Sequence, residues 1–216
     1  MPMKLVIGNK AYSSWSLRPW IAMRQLDIPF EEIVLPLDTP EFRPGILSHS
    51  PAGKVPVLID GDITVWDSLA ILEYLAEWHS SLWPAENAAR ARARSISAEM
   101  HSGFQALRRD FSMNVRRSLP GRTPGAEAAA DIARVCEIWR DARQTFGGGG
   151  PFLFGEFSAA DAMYAPVATR FRTYGLAADD PVAQAYVATI LDLPAMRRWV
   201  AEAGAESWVL EKYETA

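Results

Sequence analysis

The 216-residue sequence holds a single cysteine, Cys136, and only three histidines. One thiol closes no intrachain disulfide and builds no cysteine metal site. Cys136 lies among Ile132, Val135 and Trp139 in a helical pattern, the setting of a buried structural thiol. His49, His79 and His101 show no ligand spacing with one another or with a carboxylate, so the chain reads as metal-free. No apolar run approaches the roughly 18 to 20 residues that a membrane helix needs. The opening MPMKLVIGNK has neither a long hydrophobic stretch nor a cleavage pattern. Both absences lead us to expect a cytoplasmic protein without membrane partners. An excess of positive charge is also missing: 22 Lys+Arg against 26 Asp+Glu leave a net charge of −4. That balance offers no attraction to a polyphosphate, and nucleic acid is discounted. The basic run Arg90, Arg92, Arg94 alternates with alanines in a strong helix former and reads as a solvated helix face.

The residues that are present describe two unlike halves. Apolar residues make up 49% and charged residues 22%, the balance of a globular protein. Residues 4–8 (KLVIG) form a short apolar run ending in glycine, which suits a buried strand. Leu17, Trp20, Ile21 and Met23 then recur at helical spacing, and Pro19 is tolerable there if Ser16 or a neighbour caps the helix start. Residues 30–35 (FEEIVL) read as a second strand, completing strand–helix–strand within one crossover unit. Residues 36–51 hold four prolines and little periodicity, an irregular connection. Residues 55–59 and 63–65 are β-branched runs around Asp60-Gly61-Asp62, a hairpin signal. A helix opens at Ser68 and ends near His79. The order is βαβ then ββα.

Beyond Leu82-Trp83-Pro84 no convincing strand follows. Ile96, Met100, Phe104, Leu107 and Phe111 recur at three and four, the face of one long helix beginning about Ala88. Ile132, Val135, Trp139, Ala142 and Phe146 mark a second, stopped by the glycines at 147–150, which lack the Lys-Ser/Thr ending of a phosphate loop. Ser158 and Asp161 form a capping-box pattern for a third. Two more follow, carried by Val182, Tyr186 and Ile190 and by Met196, Trp199 and Val200. This part is an all-helical bundle. The reading is α/β plus all-α, with domains at 1–79 and 86–216.

Two short constellations could carry chemistry. Tyr12-Ser13-Ser14-Trp15-Ser16 stands where the first strand hands over to the first helix. Hydroxyls there most often only cap. The same point suits an anion, because free N–H groups and the positive end of the helix dipole converge on it. A thiolate would be stabilised at that position, and a hydroxyl would add a charge-assisted hydrogen bond. The second constellation pairs Val55-Pro56 with Asp67-Ser68. A proline opening a strand is ordinary at a sheet edge; a cis bond would instead turn the Val55 backbone outward to pair with an extended peptide. Ser68 is an ordinary cap or a carboxylate anchor, and Asp67 could meet an ammonium.

Residues 13–18 (SSWSLR), 50–58 (SPAGKVPVL), 67–71 (DSLAI) and Tyr74-Leu75 resemble the glutathione-site motifs of cytosolic glutathione transferases. The resemblance is specific in the first 80 residues and architectural after that, and the serine-rich segment is most similar to the zeta class, which includes maleylacetoacetate isomerases. It implies a thioredoxin-like first domain, glutathione as co-substrate with no metal, a small electrophile as second substrate, and a homodimer. Carried onto this sequence, it implies that Ser13, or next Ser14, donates to the glutathione sulfur. Lys54, Val55 and a cis Pro56 would lie along the peptide, and Asp67 with Ser68 would hold its γ-glutamyl end. Trp15 stands where the zeta pattern has a cysteine, and Asp67 is shorter than the glutamate common there. No cysteine lies in the first domain to support thiol exchange of the omega kind.

The implied mechanism is nucleophile activation, with the substrate pocket walled by Tyr12, Trp15, Met100, His101, Phe104 and Arg108. For Met100 and Phe104 core packing is an equal reading, and Arg108 or Arg109 would select an anionic substrate unless solvated. Tyr12, close to the position used by tyrosine-type members, ranks third as sulfur donor. The rivals are a glutathione-dependent isomerase of a maleyl-type diacid and a binding module without turnover.

Overall fold

The computed structural model describes residues 2–214. Strand β1 (Met3–Ile7) and strand β2 (Phe30–Val34) pair in parallel, and helix α1 (Ser14–Gln25) makes the crossover between them. Strand β3 (Val57–Asp60) runs antiparallel to β1, and strand β4 (Ile63–Trp66) antiparallel to β3. The sheet order is β2-β1-β3-β4. Gly61, at φ +58, makes the tight turn between β3 and β4. Helix α3 (Ser68–Ala76) completes the βαβ-ββα order of a thioredoxin-like domain.

The second domain is built of helices, α4 (Asn87–Ser102), α5 (Gln105–Asp110), α6 (Ala126–Phe146), α7 (Ala159–Tyr174), α8 (Pro181–Asp192) and α9 (Pro194–Ala205), with isolated β-bridges joining Phe152 to Gly155 and Phe154 to Glu156. Helix α7 is buried along almost its whole length and packs on α1, α4 and α8. It starts with the expected capping box, in which Asp161 accepts the Ser158 N–H at 2.9 Å. Its carboxylate also receives the Leu153 N–H at 3.1 Å and the Tyr186 hydroxyl at 3.0 Å. Around Trp139, the rings of Tyr164, Phe171 and Tyr186 form an aromatic core. Cys136 is buried beside it, and burial pushes its thiol up to about 11. Among the described residues, no helix is long and apolar enough to cross a membrane.

Four features differ from the sequence reading. The connection at 36–51 contains a short helix, α2 (Phe42–Leu47), with Pro44 in its first turn, where a missing N–H costs nothing. The single helix expected from Ile96 to Phe111 is two. Gly103 ends α4, and Phe104 takes the left-handed conformation (φ 60, ψ 43) before α5, so the apolar periodicity continues across a bend in the chain. Helix α1 begins at Ser14, so Pro19 falls in the second turn and not at the start; burial of α1 between α3, α7 and α9 offsets the lost hydrogen bond. Pairing of β3 begins at Val57, because Pro56 has no N–H to contribute to the ladder.

The two domains are locked together at the loop before α1. The Lys10 ammonium is buried and ion-paired to Glu32 of β2 and Glu202 of α9. Glu206, after α9, accepts the N–H groups of Lys10 at 2.7 Å and Ala11 at 3.2 Å. Trp199 donates to the Lys10 carbonyl at 2.8 Å, and its ring meets Trp20 of α1 edge-on. The loop that presents Tyr12, Ser13 and Ser14 is thus held from both sides.

Candidate active site

A cavity of about 880 Å³ lies between the domains. Its N-terminal wall holds Ser13, Ser14, Lys54, Val55, Pro56, Asp67 and Ser68. Its helical wall includes His101, Arg108, Ser112, Met113 and Arg170, with Tyr12, Trp15 and Tyr213 at the junction. Met100 and Phe104 do not line it. Both are buried in the core, Met100 on the inner face of α4 with Ala93 and Ile96, and Phe104 at the bend after Gly103.

Ser13 sits at the N-cap of α1 but makes no side-chain cap bond. Its Oγ lies 2.7 Å from Ser16 Oγ, which in turn accepts the Gly8 N–H at 3.1 Å. Ser14 makes no side-chain hydrogen bond among the described residues, and it too lines the cavity. Ser16, expected at most as a cap, stands instead behind Ser13 in a hydroxyl chain. Because hydroxyl hydrogens rotate, the Ser16 O–H can turn toward Ser13 and free the Ser13 O–H to point into the cavity.

The Val55–Pro56 bond is cis, as expected. Lys54 is exposed at the rim. Asp67 occupies φ 76, ψ 134, a conformation that costs a non-glycine residue about 1–3 kcal/mol. Its carboxylate holds it there: one oxygen accepts the Leu69 N–H at 2.9 Å and the Ala70 N–H at 3.3 Å, capping α3. The other lies 2.7 Å from His101 Nε2. Burial alone would raise the Asp67 carboxyl, but the His101 hydrogen bond and the two N–H groups outweigh it and hold it below its ordinary value. Local spacing gave no sign of this contact, which is a single histidine–carboxylate pair and, among the described residues, part of no metal-holding group. His101 and Asp67 lie 34 positions apart, and only the folded helix α4 brings them together.

Tyr12 is committed elsewhere. Its hydroxyl donates to Glu214 at 2.6 Å, and burial together with that carboxylate raises its ionisation above the ordinary phenol range. The C-terminal segment lies across this corner of the cavity. Tyr213 packs on Tyr12 with ring centres 5.6 Å apart, and Asn114 Nδ2 donates to Glu214 at 2.9 Å. Arg116 anchors the same segment by donating to the carbonyls of Ala203, Glu206 and Trp208.

Two arginines, Arg108 and Arg170, lie on the helical side, and a third, Arg18 of α1, lies behind the N-terminal wall. Arg18 is buried behind Trp15, its guanidinium 4.2 Å from the indole centre, and donates to Ser68 Oγ at 3.1 Å. Arg108 lies 5.0 Å from the same indole and donates to the Gly103 and Met100 carbonyls. Arg170, 5% exposed, donates to the Phe111 and Pro166 carbonyls. Burial and the neighbouring Arg108 charge push Arg170 down to about 9, so it stays cationic at neutral pH. Arg109 faces outward and pairs with Asp110 and Glu127. Sequence reasoning missed Arg170, Ser112, Met113 and Tyr213, which share no motif and meet only through tertiary packing.

Residues 12–78 match the glutathione S-transferase N-terminal domain, and residues 88–202 match the C-terminal domain of the same family. The chain belongs to the glutathione S-transferase family. Among curated relatives it is similar to glutathione S-transferase 3 of Zea mays, 29% identical over 194 residues that cover 83% of this chain and 85% of that one. It is also similar to a probable maleylacetoacetate isomerase of Caenorhabditis elegans, 36% identical over 97 residues, 44% of each chain. The matched segment spans less than half the length of the first relatives it resembles. In fold it is similar to a glutathione transferase homolog from Burkholderia gl BGR1 with bound glutathione, at TM-score 0.71 and 21% identity, covering 95% of this chain and 100% of that one. Other relatives include dichloromethane dehalogenases of Methylorubrum extorquens and Methylophilus leisingeri and several plant glutathione S-transferases, so the zeta likeness is partial.

Proposed function

We propose that the chain is a serine-type glutathione transferase that activates the glutathione thiol for attack on a small electrophile, its glutathione domain at 1–79 and its substrate domain at 86–216. The observation that carries this reading is the convergence of Ser13, Val55 and the Asp67-Ser68 pair, from three separate segments, on one wall of one cavity. Val55 offers backbone groups to an extended tripeptide. Ser68, at the start of α3, receives its γ-glutamyl carboxylate, favoured there by the helix dipole, while Asp67 receives the ammonium. Lys54 adds a positive charge at the rim.

Glutathione supplies the nucleophilic sulfur. The protein's task is to keep that sulfur ionised, since an unperturbed thiol near pKa 8.5 is only a few per cent thiolate at neutral pH. Ser13 donates to the sulfur, with Ser16 and the Gly8 N–H polarising it from behind, and the start of α1 adds its dipole. Ser14 stands next in order. Tyr12 is disfavoured as the donor because Glu214 holds its hydroxyl. The same reading takes the protein as a homodimer, supported by the exposed apolar side chains of Ile63, Trp66 and Trp78.

Steady-state assays with glutathione and an aryl halide test the reading. Consumption of glutathione with release of halide is the expected result. Turnover of a maleyl-type diacid with glutathione unconsumed would make the protein an isomerase, and tight glutathione binding without either reaction would make it a binding module.

A further inference from the structure

The protein carries a net charge of −4, yet its cavity is lined by Lys54, Arg108 and Arg170 against the single carboxylate of Asp67. Arg18 lies just behind that lining. Lys54 stands at the glutathione rim and Arg18 of α1 donates to Ser68 on the same wall, so the excess that needs an explanation is Arg108 and Arg170 on the helical side. Among the described residues, none of Arg18, Arg108 and Arg170 forms a salt bridge: their hydrogen bonds go to a serine hydroxyl and to backbone carbonyls. Arg18 Nε is buried without any partner. Among the described residues no carboxylate pairs with any of them: Asp67 meets His101 and caps α3, and Asp131 accepts the Leu107 N–H. Burying several cations without counter-charge is costly, and each disfavours its neighbours. A surface arginine would avoid that cost, as Arg109 does one position further on.

Resting on the transferase reading, we propose that the electrophile accepted by this cavity carries a carboxylate, which seats on Arg108 and Arg170 while its apolar body lies against Trp15, Met113 and Tyr213. The carboxylates of glutathione do not fill this role. In the proposed pose the tripeptide lies along Val55 and Ser68 on the opposite wall. A cavity of about 880 Å³ leaves room for a second, ring-sized molecule beside it. Focusing of positive potential in a cleft of an otherwise negative protein also draws anionic substrates toward the reacting sulfur.

The test compares 4-chloro-3,5-dinitrobenzoate with its methyl ester, which share the reacting carbon and differ in charge. Each kcat/KM is divided by the uncatalysed rate constant with glutathione. The wild type is expected to favour the carboxylate by about ten- to a hundredfold, the range of a charge-assisted hydrogen bond in a desolvated site. Arg108→Gln should bring that preference to within about threefold, Arg108→Lys should restore part of it, and Arg109→Gln should leave it intact. Glutathione affinity, measured by calorimetry, checks that each variant retains its glutathione site. Ester turnover without any carboxylate preference overturns this proposal and leaves the transferase reading standing. So does an equal fall of both substrates in Arg108→Gln, which would assign the arginine to the thiolate. Failure to bind glutathione or to consume either compound overturns the transferase reading and this inference with it.

Discussion

The two walls of the cavity are built on different principles. The N-terminal wall presents short polar groups and backbone at the ends of α1, β3 and α3, where helix starts and sheet edges leave hydrogen-bonding groups free. The helical wall presents long side chains, Arg108, Arg170 and Tyr213, whose positions depend on packing between elements distant in sequence. On the proposed reading, one wall suits an invariant peptide and the other is free to vary with the second substrate. The difference teaches that the groups proposed to hold the sulfur are placed by local geometry, and those proposed to hold its partner by tertiary structure.

The largest expected effect tests how far the helical wall depends on its core. Asp161 satisfies two buried N–H groups and two hydroxyls, so Asp161→Ala should destabilise the protein by about 3 kcal/mol or more, read as a shifted urea midpoint. A variant of ordinary stability would show that α7 does not depend on this network. Next comes the sulfur donor. Ser13→Ala should lower kcat/KM by about ten- to a hundredfold, matching one to two units of thiol activation. Ser16→Ala should lower it less, and a larger loss at Ser14→Ala than at Ser13→Ala would reverse their order.

Asp67 joins the walls through His101. Asp67→Asn should weaken glutathione binding by about tenfold in calorimetry, by loss of a charged partner for the ammonium. Its carboxyl is held lower in the folded chain than in the unfolded one. The unfolded state therefore binds the proton more tightly, and the stability Asp67 contributes is present above the ordinary carboxylate range and lost as pH falls through its folded value. Asp67→Asn should flatten that acid-side decline, and an unchanged slope would show that the His101 contact contributes nothing. The smallest effect is at the junction: Tyr12→Phe should change turnover by less than about twofold, because Glu214 and not the thiol holds the hydroxyl. A loss comparable to Ser13→Ala would make Tyr12 the donor.

The same contrast explains what could be read from sequence. The four strands, the hairpin at Gly61 and the start of α3 at Ser68 were visible because each has a local signature. Helix α2 was hidden by Pro44, which reads as a breaker but sits harmlessly in a first turn. The bend at Gly103 and Phe104 was hidden because apolar spacing ran on unbroken through it, and both Met100 and Phe104 pack in the core. Of the site, Ser13, Ser14, Lys54, Val55, Pro56, Asp67 and Ser68 are short-range motifs and do line the cavity. Arg170 and Tyr213 had no such signature, and the His101–Asp67 contact exists only once α4 is laid across the start of α3.

The central claim is that the Ser13 hydroxyl keeps the sulfur of bound glutathione ionised. Ultraviolet thiolate absorbance, titrated against pH for glutathione bound to the wild type, Ser13→Ala and Ser14→Ala, measures it directly. The account predicts a wild-type midpoint about one to two units below that of free glutathione, with Ser13→Ala returning most of the way to the free value. Superimposable curves for all three proteins and free glutathione would contradict it.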